Sequence, residues 1–166
     1  DPEALAHAVG QCLAADLRGI GQGDGREDPF RLAAGLPGRQ ALQFALSHSQ
    51  SVEIRYPKEP IPTNQAVPAA SERPFELGRS VLVRQGLGSS LAIISYGTML
   101  REALEAADRL SAAGIEVDVI NARFAAPVDE GLLGLLAEGK RLITVEDHSL
   151  SCGFGSALLE LAATRG

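Results

Sequence analysis

The chain has 166 residues, of which 45% are hydrophobic and 22% charged, and its formal net charge is −6. This length and composition are typical of one globular domain, or of one domain joined to part of another. The acidic balance and the absence of a basic run argue against a nucleic-acid partner, and no apolar stretch is long enough to span a membrane.

The first 56 residues predict two helices, a loop and a strand. The segment "PEALAHAVGQCLAADL" has apolar residues at helical spacing, and the glycine-rich "RGIGQGDGREDPF" predicts a loop. A second helix is predicted at "RQALQFALSH". The segment "SVEIRY" alternates apolar and charged residues, which predicts a half-buried strand that ends at Pro57.

Residues 57–78 hold five of the nine prolines of the chain. Each proline fixes its own backbone angle and favours an extended predecessor, so the segment predicts an extended linker. We therefore predict three parts: a partial domain over residues 1–56, a linker over 57–78 and a second domain over 79–166.

The last part, residues 79–166, predicts an α/β domain. Strands are predicted at "SVLVRQG", "SLAIISYG", "EVDVINARF" and "RLITVED", and a helix follows each of the last three. The first helix is predicted to begin at Thr98 and end at Gly114. The second is predicted to begin at Pro127 and end near Gly139, and "FGSALLELAATR" is the third. Strands and helices that alternate with short joints favour a parallel sheet with right-handed crossovers.

Glu146, Asp147 and His148 follow the last predicted strand. Ligands of open α/β sheets bind at the carboxyl ends of strands, and histidine exchanges protons near neutral pH, so a catalytic role is physically possible. Strand ends are also polar simply because they emerge into water, and no partner for His148 is identifiable from sequence. We therefore favour a polar strand end.

Three candidate nucleophiles come next, Ser149, Ser151 and Cys152, but no nucleophile-elbow pattern surrounds them. The triplet Gly153-Phe154-Gly155 then precedes the last helix. Glycines there allow a tight turn and close helix packing, whereas a helix N-terminus also attracts anions. We favour packing as the reason for these glycines.

The two cysteines, Cys12 and Cys152, lie far apart and match no metal-ligand or disulfide spacing. We interpret both as free thiols of a protein in the reducing cytoplasm.

Arg55 is the outward-facing residue near the end of the predicted strand in "EIRYP". One interpretation is an exposed charge at a sheet edge. The other is a phosphate clamp, since a guanidinium binds phosphate through paired N–H donors. The pattern alone favours the exposed charge.

Three stretches, over roughly residues 39–166, resemble the 1-deoxy-D-xylulose 5-phosphate synthase family. "ALQFALSHSQSVEIRYPKEPIP" resembles the close of that family's pyrimidine-binding domain. "LAIISYGTMLREALEAADRLSAAGIEVDVINARFAAPVDEGLL" and "LITVEDHSLSCGFGSALLE" resemble its C-terminal transketolase-type domain. The resemblance implies a three-layer α/β/α domain with a mostly parallel sheet, preceded by a fragment of the pyrimidine-binding α/β domain.

The resemblance also implies an activity. The family's enzymes are thiamine diphosphate- and Mg²⁺-dependent transferases that decarboxylate pyruvate and join the two-carbon fragment to glyceraldehyde 3-phosphate, for isoprenoid and thiamine biosynthesis. They are homodimers whose C-terminal domain is not the cofactor cradle. Arg55 matches the arginine that helps bind the aldehyde's phosphate, which strengthens the clamp interpretation. His148 matches a variable position, so no catalytic role carries over to it.

Part of the family pattern has no match. Gly23-Asp24-Gly25 has the letters of a thiamine diphosphate–magnesium motif, but no apolar strand precedes it and the next Asn is distant, at Asn64. We interpret it as a charged loop. The glutamate that activates the cofactor has no match in residues 1–38. We therefore expect this segment to be part of a longer enzyme, and alone to be inactive and to bind no cofactor.

Two alternatives stay open. The first is the beta subunit of a 2-oxo acid dehydrogenase, whose C-terminal domain shares several of these elements. The second is a stand-alone, non-catalytic transketolase-type interaction module, which the missing cofactor motif favours.

Overall fold

The computed structural model describes residues 36–55, 73–149 and 151–165. They belong to two units, divided after Val67, which are described separately. The predicted first helix, the Gly23-Asp24-Gly25 loop, Cys12 and most of the predicted linker lie outside the described residues. In the part of the chain that is described, no helix is both long and apolar enough to cross a membrane.

In the first unit, helix α1 spans Leu36–Ser47, which confirms the helix predicted there. The strand predicted at "SVEIRY" is wrong for residues 51–55, which form no regular element. Val52 and Ile54 are half-buried between exposed neighbours, so the predicted alternation is present. A strand also needs a hydrogen-bonded neighbour, which the alternation of apolar and charged residues does not provide.

The second unit contains a sheet of four strands. They are β1 (Val81–Arg84), β2 (Leu91–Ser95), β3 (Asp118–Asn121) and β4 (Arg141–Val145), in the order β1-β3-β2-β4. Strands β3 and β4 both pair parallel to β2, with Ile93 opposite Val119 on one side and Ile143 on the other. Strand β1 runs antiparallel to β3 at one edge. The sheet is therefore mostly parallel, as predicted.

Helices cover both faces of this sheet. Helix α2 (Leu100–Ala112) connects β2 to β3, α3 (Leu132–Ala137) connects β3 to β4, and α4 (Phe154–Arg165) follows β4. Successive strand residues point to opposite faces. Ile93 and Val119 accordingly pack with Ala103 and Ala107 of α2.

The opposite face is buried by the other two helices. Ala92 and Ile94 of β2 pack there with Leu132 of α3 and with Phe154 and Leu158 of α4. Together with the α2 side, this packing gives three layers, α/β/α, which confirms the predicted fold class.

Two predicted helix starts are wrong. Thr98 lies inside a 3₁₀ turn, Gly97–Met99, and Met99 precedes α2 without a side-chain cap. The second helix begins at Leu132 and not at Pro127. There the residues before the helix are held by the carboxylate of Asp129, a contact that hydrophobic periodicity does not reveal. The predicted helix ends are confirmed, because Gly114 and Gly139 both adopt the left-handed conformation that suits a C-terminal glycine, with φ of 79° and 81°.

Candidate functional site

The acid–His cluster predicted at the end of β4 contains one carboxylate with a definite structural task. Glu146 Oε2 accepts a hydrogen bond from the backbone N–H of Phe154 at 2.7 Å, and Oε1 accepts one from Gly155 at 2.8 Å. The first N–H groups of a helix have no partner within the helix, and a negative charge there also opposes the positive end of the helix dipole. Glu146 therefore caps α4.

Gly153 and Gly155 make this cap possible. A Cβ at Gly153 would lie 2.4 Å from the carbonyl oxygen of Ser149 and 2.6 Å from Glu146 Oε1. A Cβ at Gly155 would lie 2.7 Å from Thr144 Oγ1. All three distances are shorter than real Cβ contacts allow, so the prediction that these glycines serve packing is confirmed.

Replacing Glu146 by alanine is expected to lower the free energy of unfolding by about 0.5–2 kcal/mol, the usual range for a lost helix cap. The physical reason is that the N–H groups of Phe154 and Gly155 lose their acceptor. Chemical denaturation of the variant measures the change. The matched control is Asp147→Ala, an exposed carboxylate one residue away, for which we expect a change within about 0.5 kcal/mol. An equal loss in both variants would contradict the cap.

The remaining candidates of this stretch do not form a catalytic cluster with Glu146. Asp147, His148 and Ser149 are exposed, and the carboxylate of Glu146 is directed at the helix amides. Cys152 is a free, exposed thiol, as predicted, with its Sγ 3.7 Å from Ser151 Oγ. Among the described residues, no group of three or more His, Cys, Asp or Glu side chains could hold a metal ion.

A groove of about 420 Å³ runs beside β4, between α3 and α4. Most of its wall is apolar, from Leu136, Leu142, Leu158, Leu159 and Ala162. Three of the predicted candidates, Glu146, His148 and Ser149, line its polar end together with the start of α4. Most of the lining is apolar and the carboxylate of Glu146 is bound to the amides of α4, so the groove is mainly a surface for packing, with the side chain of His148 at its polar end.

Arg55, the predicted phosphate clamp, is an exposed side chain of the first unit. Its Nε donates a hydrogen bond to Glu53 Oε1 at 3.0 Å, and the two side chains are 61% and 76% exposed. Exposed ion pairs of this kind contribute only about 0.2–1 kcal/mol, so this pair would not prevent the guanidinium from binding a phosphate. The phosphate role of Arg55 stays a prediction.

Sequence reasoning missed a buried carboxylate in the second unit, that of Asp129. Its Oδ2 accepts hydrogen bonds from the backbone N–H and the hydroxyl of Ser80, at 2.7 and 2.6 Å. Its Oδ1 accepts one from Gly131 N–H at 2.9 Å and lies 3.5 Å from Arg79 Nη1. Burial raises the pKa of Asp129, but the hydrogen bonds from Ser80 and Gly131 and the charge of Arg79 outweigh burial and leave that pKa below its usual value.

A second buried carboxylate was also missed, that of Asp118 at the start of β3. It accepts a hydrogen bond from Gly86 N–H at 2.9 Å and forms an ion pair with Lys140, just before β4. These contacts hold the amino ends of β3 and β4 together with the segment that follows β1. The signal for Asp118 was an acidic residue inside an apolar strand, and the signal for Asp129 was its place two residues after Pro127 in the stretch "RFAAPVD".

The comparisons with known proteins agree with this fold. The family "Transketolase, C-terminal domain" matches residues 78–166. A 1-deoxy-D-xylulose-5-phosphate synthase of Anaeromyxobacter dehalogenans (strain 2CP-C) is 37% identical over 130 residues, which are 77% of this chain and 20% of that protein. One of Heliobacterium modesticaldum (strain ATCC 51547 / Ice1) is 42% identical over 127 residues, 75% of this chain and 19% of that protein. The chain thus spans about a fifth of the length of these relatives.

A transketolase is among the solved structures that are also similar. It is titled "Split gene transketolase, inactive beta4 tetramer" and superimposes with a TM-score of 0.67 at 29% sequence identity, covering 77% of this chain and 41% of that one. Because the family match spans more than half of the residues and the described fold agrees with it, the chain belongs to the transketolase C-terminal domain family.

Proposed function

We propose that this chain is the C-terminal part of a 1-deoxy-D-xylulose-5-phosphate synthase. The observation that carries the proposal is the extent of the similarity to relatives with that name. Their alignments are longer than the domain match over 78–166, and a stretch that covers 77% of the chain necessarily includes Arg55. The similarity therefore reaches the segment to which we assign the substrate phosphate.

In this proposal the full-length protein condenses pyruvate with glyceraldehyde 3-phosphate and releases CO₂. Thiamine diphosphate, held with Mg²⁺, would supply the stabilised carbanion that this reaction needs. The described residues do not fit that cofactor: Glu146 already accepts hydrogen bonds from the first amides of α4, and residues 36–55, 73–149 and 151–165 contain no group of three or more His, Cys, Asp or Glu side chains that could hold Mg²⁺. We therefore assign no cofactor step to them.

The role that remains for the described C-terminal domain is to support the enzyme from outside the cofactor site. Its two buried carboxylates and the cap of α4 fix its strands and helices. We propose that the full-length protein is a homodimer and that this segment alone has no activity. The similar solved structure carries the word "inactive" in its title, which supports the second point by analogy.

The test is product formation by the full-length protein. With pyruvate, glyceraldehyde 3-phosphate, thiamine diphosphate and Mg²⁺, we expect 1-deoxy-D-xylulose 5-phosphate, identified by mass spectrometry, and an equal amount of CO₂. A parallel reaction with pyruvate and a lipoyl domain in its oxidised, disulfide form tests the 2-oxo acid dehydrogenase alternative, because opening of that disulfide takes up the two electrons released on acetyl transfer. Acetyl transfer to the lipoyl domain, with no formation of 1-deoxy-D-xylulose 5-phosphate in the first reaction, would overturn the proposal.

The second candidate is a subunit of a transketolase-type enzyme whose halves are separate chains. The similar solved structure favours it, because its title describes a split-gene transketolase. In this form the chain would be an interaction module that is active only with its complementary subunit. Activity that appears only when a second polypeptide is added would favour this candidate over the single-chain synthase.

A further inference from the structure

Residues 73–80 lead into β1 and lie against the segment that follows β3; we call them the strap. Val81, the first residue of β1, pairs with Asn121, the last residue of β3, so the strap reaches the sheet at the carboxyl end of β3. Two separate groups of contacts hold it there. One is formed by Arg123 and Phe124 near the start of the strap, and the other by Asp129 near its end.

The first group of contacts lies near the surface. Arg123 Nη1 donates a hydrogen bond to the carbonyl oxygen of Pro74 at 2.9 Å, and the guanidinium carbon lies 4.5 Å from the centre of the Phe75 ring. The Phe75 ring also meets Phe124 edge to face, with 5.8 Å between the ring centres. Together these contacts form what we call the Arg123 clamp.

Two features oppose the Arg123 clamp. Arg123 has a φ of 58°, and the left-handed region costs a residue other than glycine about 1–2 kcal/mol. Burial lowers the pKa of the Arg123 guanidinium, and the nearby positive charge of Arg73, in the strap itself, lowers that pKa further. The clamp thus holds the strap against backbone strain and against repulsion between two arginines.

The second group of contacts, the Asp129 anchor, is buried and has no such opposition. The carboxylate of Asp129 is only 8% exposed and binds both the backbone N–H and the hydroxyl of Ser80. Gly78 has a φ of 63° and packs on Pro127, where a Cβ would lie 3.0 Å from the proline Cγ. Removal of the strap from the anchor would leave a buried charge with fewer donors, which is costly.

We propose that the strap is a releasable extension of the linker: the Arg123 clamp opens while the Asp129 anchor stays closed. Opening frees Arg73–Leu77 from the domain. Five extended residues add up to about 17 Å of reach, at roughly 3.3–3.6 Å per residue. The domain then stays folded and attached, on a longer tether to the residues that precede it. This inference concerns the domain alone and does not depend on the proposed activity.

Chymotrypsin cleavage after Phe75 measures the opening, because the enzyme needs the extended, released segment. When opening is fast compared with cleavage, the cleavage rate follows the population of the open form. We expect Arg123→Met to raise the initial rate of cleavage at Phe75 about tenfold in the full-length protein, as a charge-assisted hydrogen bond and the contact with the ring are both lost. Arg123→Lys, which keeps the charge, should give an intermediate rate.

Two further variants decide between release and general unfolding. Phe124→Leu removes the ring contact without touching charge and should also accelerate cleavage at Phe75. Arg101→Met, an exposed arginine on α2, is the matched control and should leave the rate unchanged. Cleavage after Leu91 in β2 and Leu142 in β4 and the thermal midpoint serve as references for the folded domain.

The proposal is overturned by an unchanged rate at Phe75 in both Arg123→Met and Phe124→Leu. It is also overturned if cleavage after Phe75, Leu91 and Leu142 rises together, since the strap would then unfold only with the whole domain. If Arg123→Met fails to fold, Arg123→Lys and Phe124→Leu provide the same decision.

Discussion

Replacing Asp129 by alanine is expected to lower the free energy of unfolding of the protein by about 3 kcal/mol, because unmade buried hydrogen bonds cost about 1–3 kcal/mol each. The variant leaves the N–H groups of Ser80 and Gly131 without their acceptor in a part-buried site. It also removes the charge that faces Arg79. Urea denaturation followed by circular dichroism measures the change.

The matched control is the next residue. Glu130 is 61% exposed and forms an ion pair with Arg165, so Glu130→Ala should cost less than about 1 kcal/mol. Both variants remove one carboxylate from the same turn, so net charge alone would make their effects equal. A loss for Asp129→Ala no larger than that for Glu130→Ala would show that the Asp129 anchor is not a major source of stability.

The pH dependence of this effect has a definite sign. The pKa of Asp129 in the folded protein lies below its ordinary value of 3.8, because the bonds from Ser80 and Gly131 outweigh burial. A carboxyl group with a depressed folded pKa adds stability above its unfolded pKa and loses that contribution as the pH falls through the folded pKa. The difference between the wild type and Asp129→Asn should therefore be full at neutral pH and shrink below about pH 4. A difference that is constant down to pH 2 would contradict this assignment.

In the full-length enzyme, Arg55→Ala is expected to raise the apparent KM for glyceraldehyde 3-phosphate by about 10- to 100-fold. The expected size follows from the loss of a hydrogen bond between charged groups, about 1.5–3 kcal/mol. The phosphate does not change during the reaction, so its binding contributes equally to the ground state and the transition state. We therefore expect kcat and the KM for pyruvate to change little.

Two variants sharpen this test. Arg55→Lys keeps the charge but loses the planar pair of donors, so its KM should lie between those of the wild type and Arg55→Ala. Glu53→Gln removes the carboxylate that Arg55 Nε contacts and leaves the guanidinium in place, so its KM should not rise. Product formation with an unchanged KM for glyceraldehyde 3-phosphate in Arg55→Ala would contradict the phosphate-binding role of Arg55. The proposed activity would still stand.

Most of the C-terminal fold could be predicted because its elements carry strong local signals. The segment "FGSALLELAATR" predicts α4 with the observed bounds, and "SLAIISYG" and "RLITVED" contain β2 and β4. Glycine with positive φ is the usual residue after a helix, and Gly114 and Gly139 end α2 and α3 in this way. These signals lie within a few residues of the structure that they determine.

The errors arose where a distant residue decides a local conformation. The "SVEIRY" pattern is that of a strand, but pairing depends on a neighbour that the pattern does not identify. Pro127 is a common first residue of a helix, yet α3 starts at Leu132, after the turn that Asp129 holds. Ser80 lies 49 residues from Asp129, so no local pattern could connect them.

The sequence alone determined the α/β class, the parallel arrangement of β2, β3 and β4 and the family, because periodicity and ordered motifs are properties of contiguous residues. Only the tertiary structure decided what the polar residues do. It assigned Glu146 to the start of α4, Asp129 to the strap and Arg123 to Pro74 and Phe75. A carboxylate or guanidinium takes its role from the donors, acceptors and rings around it, and folding brings those groups together from distant positions in the chain.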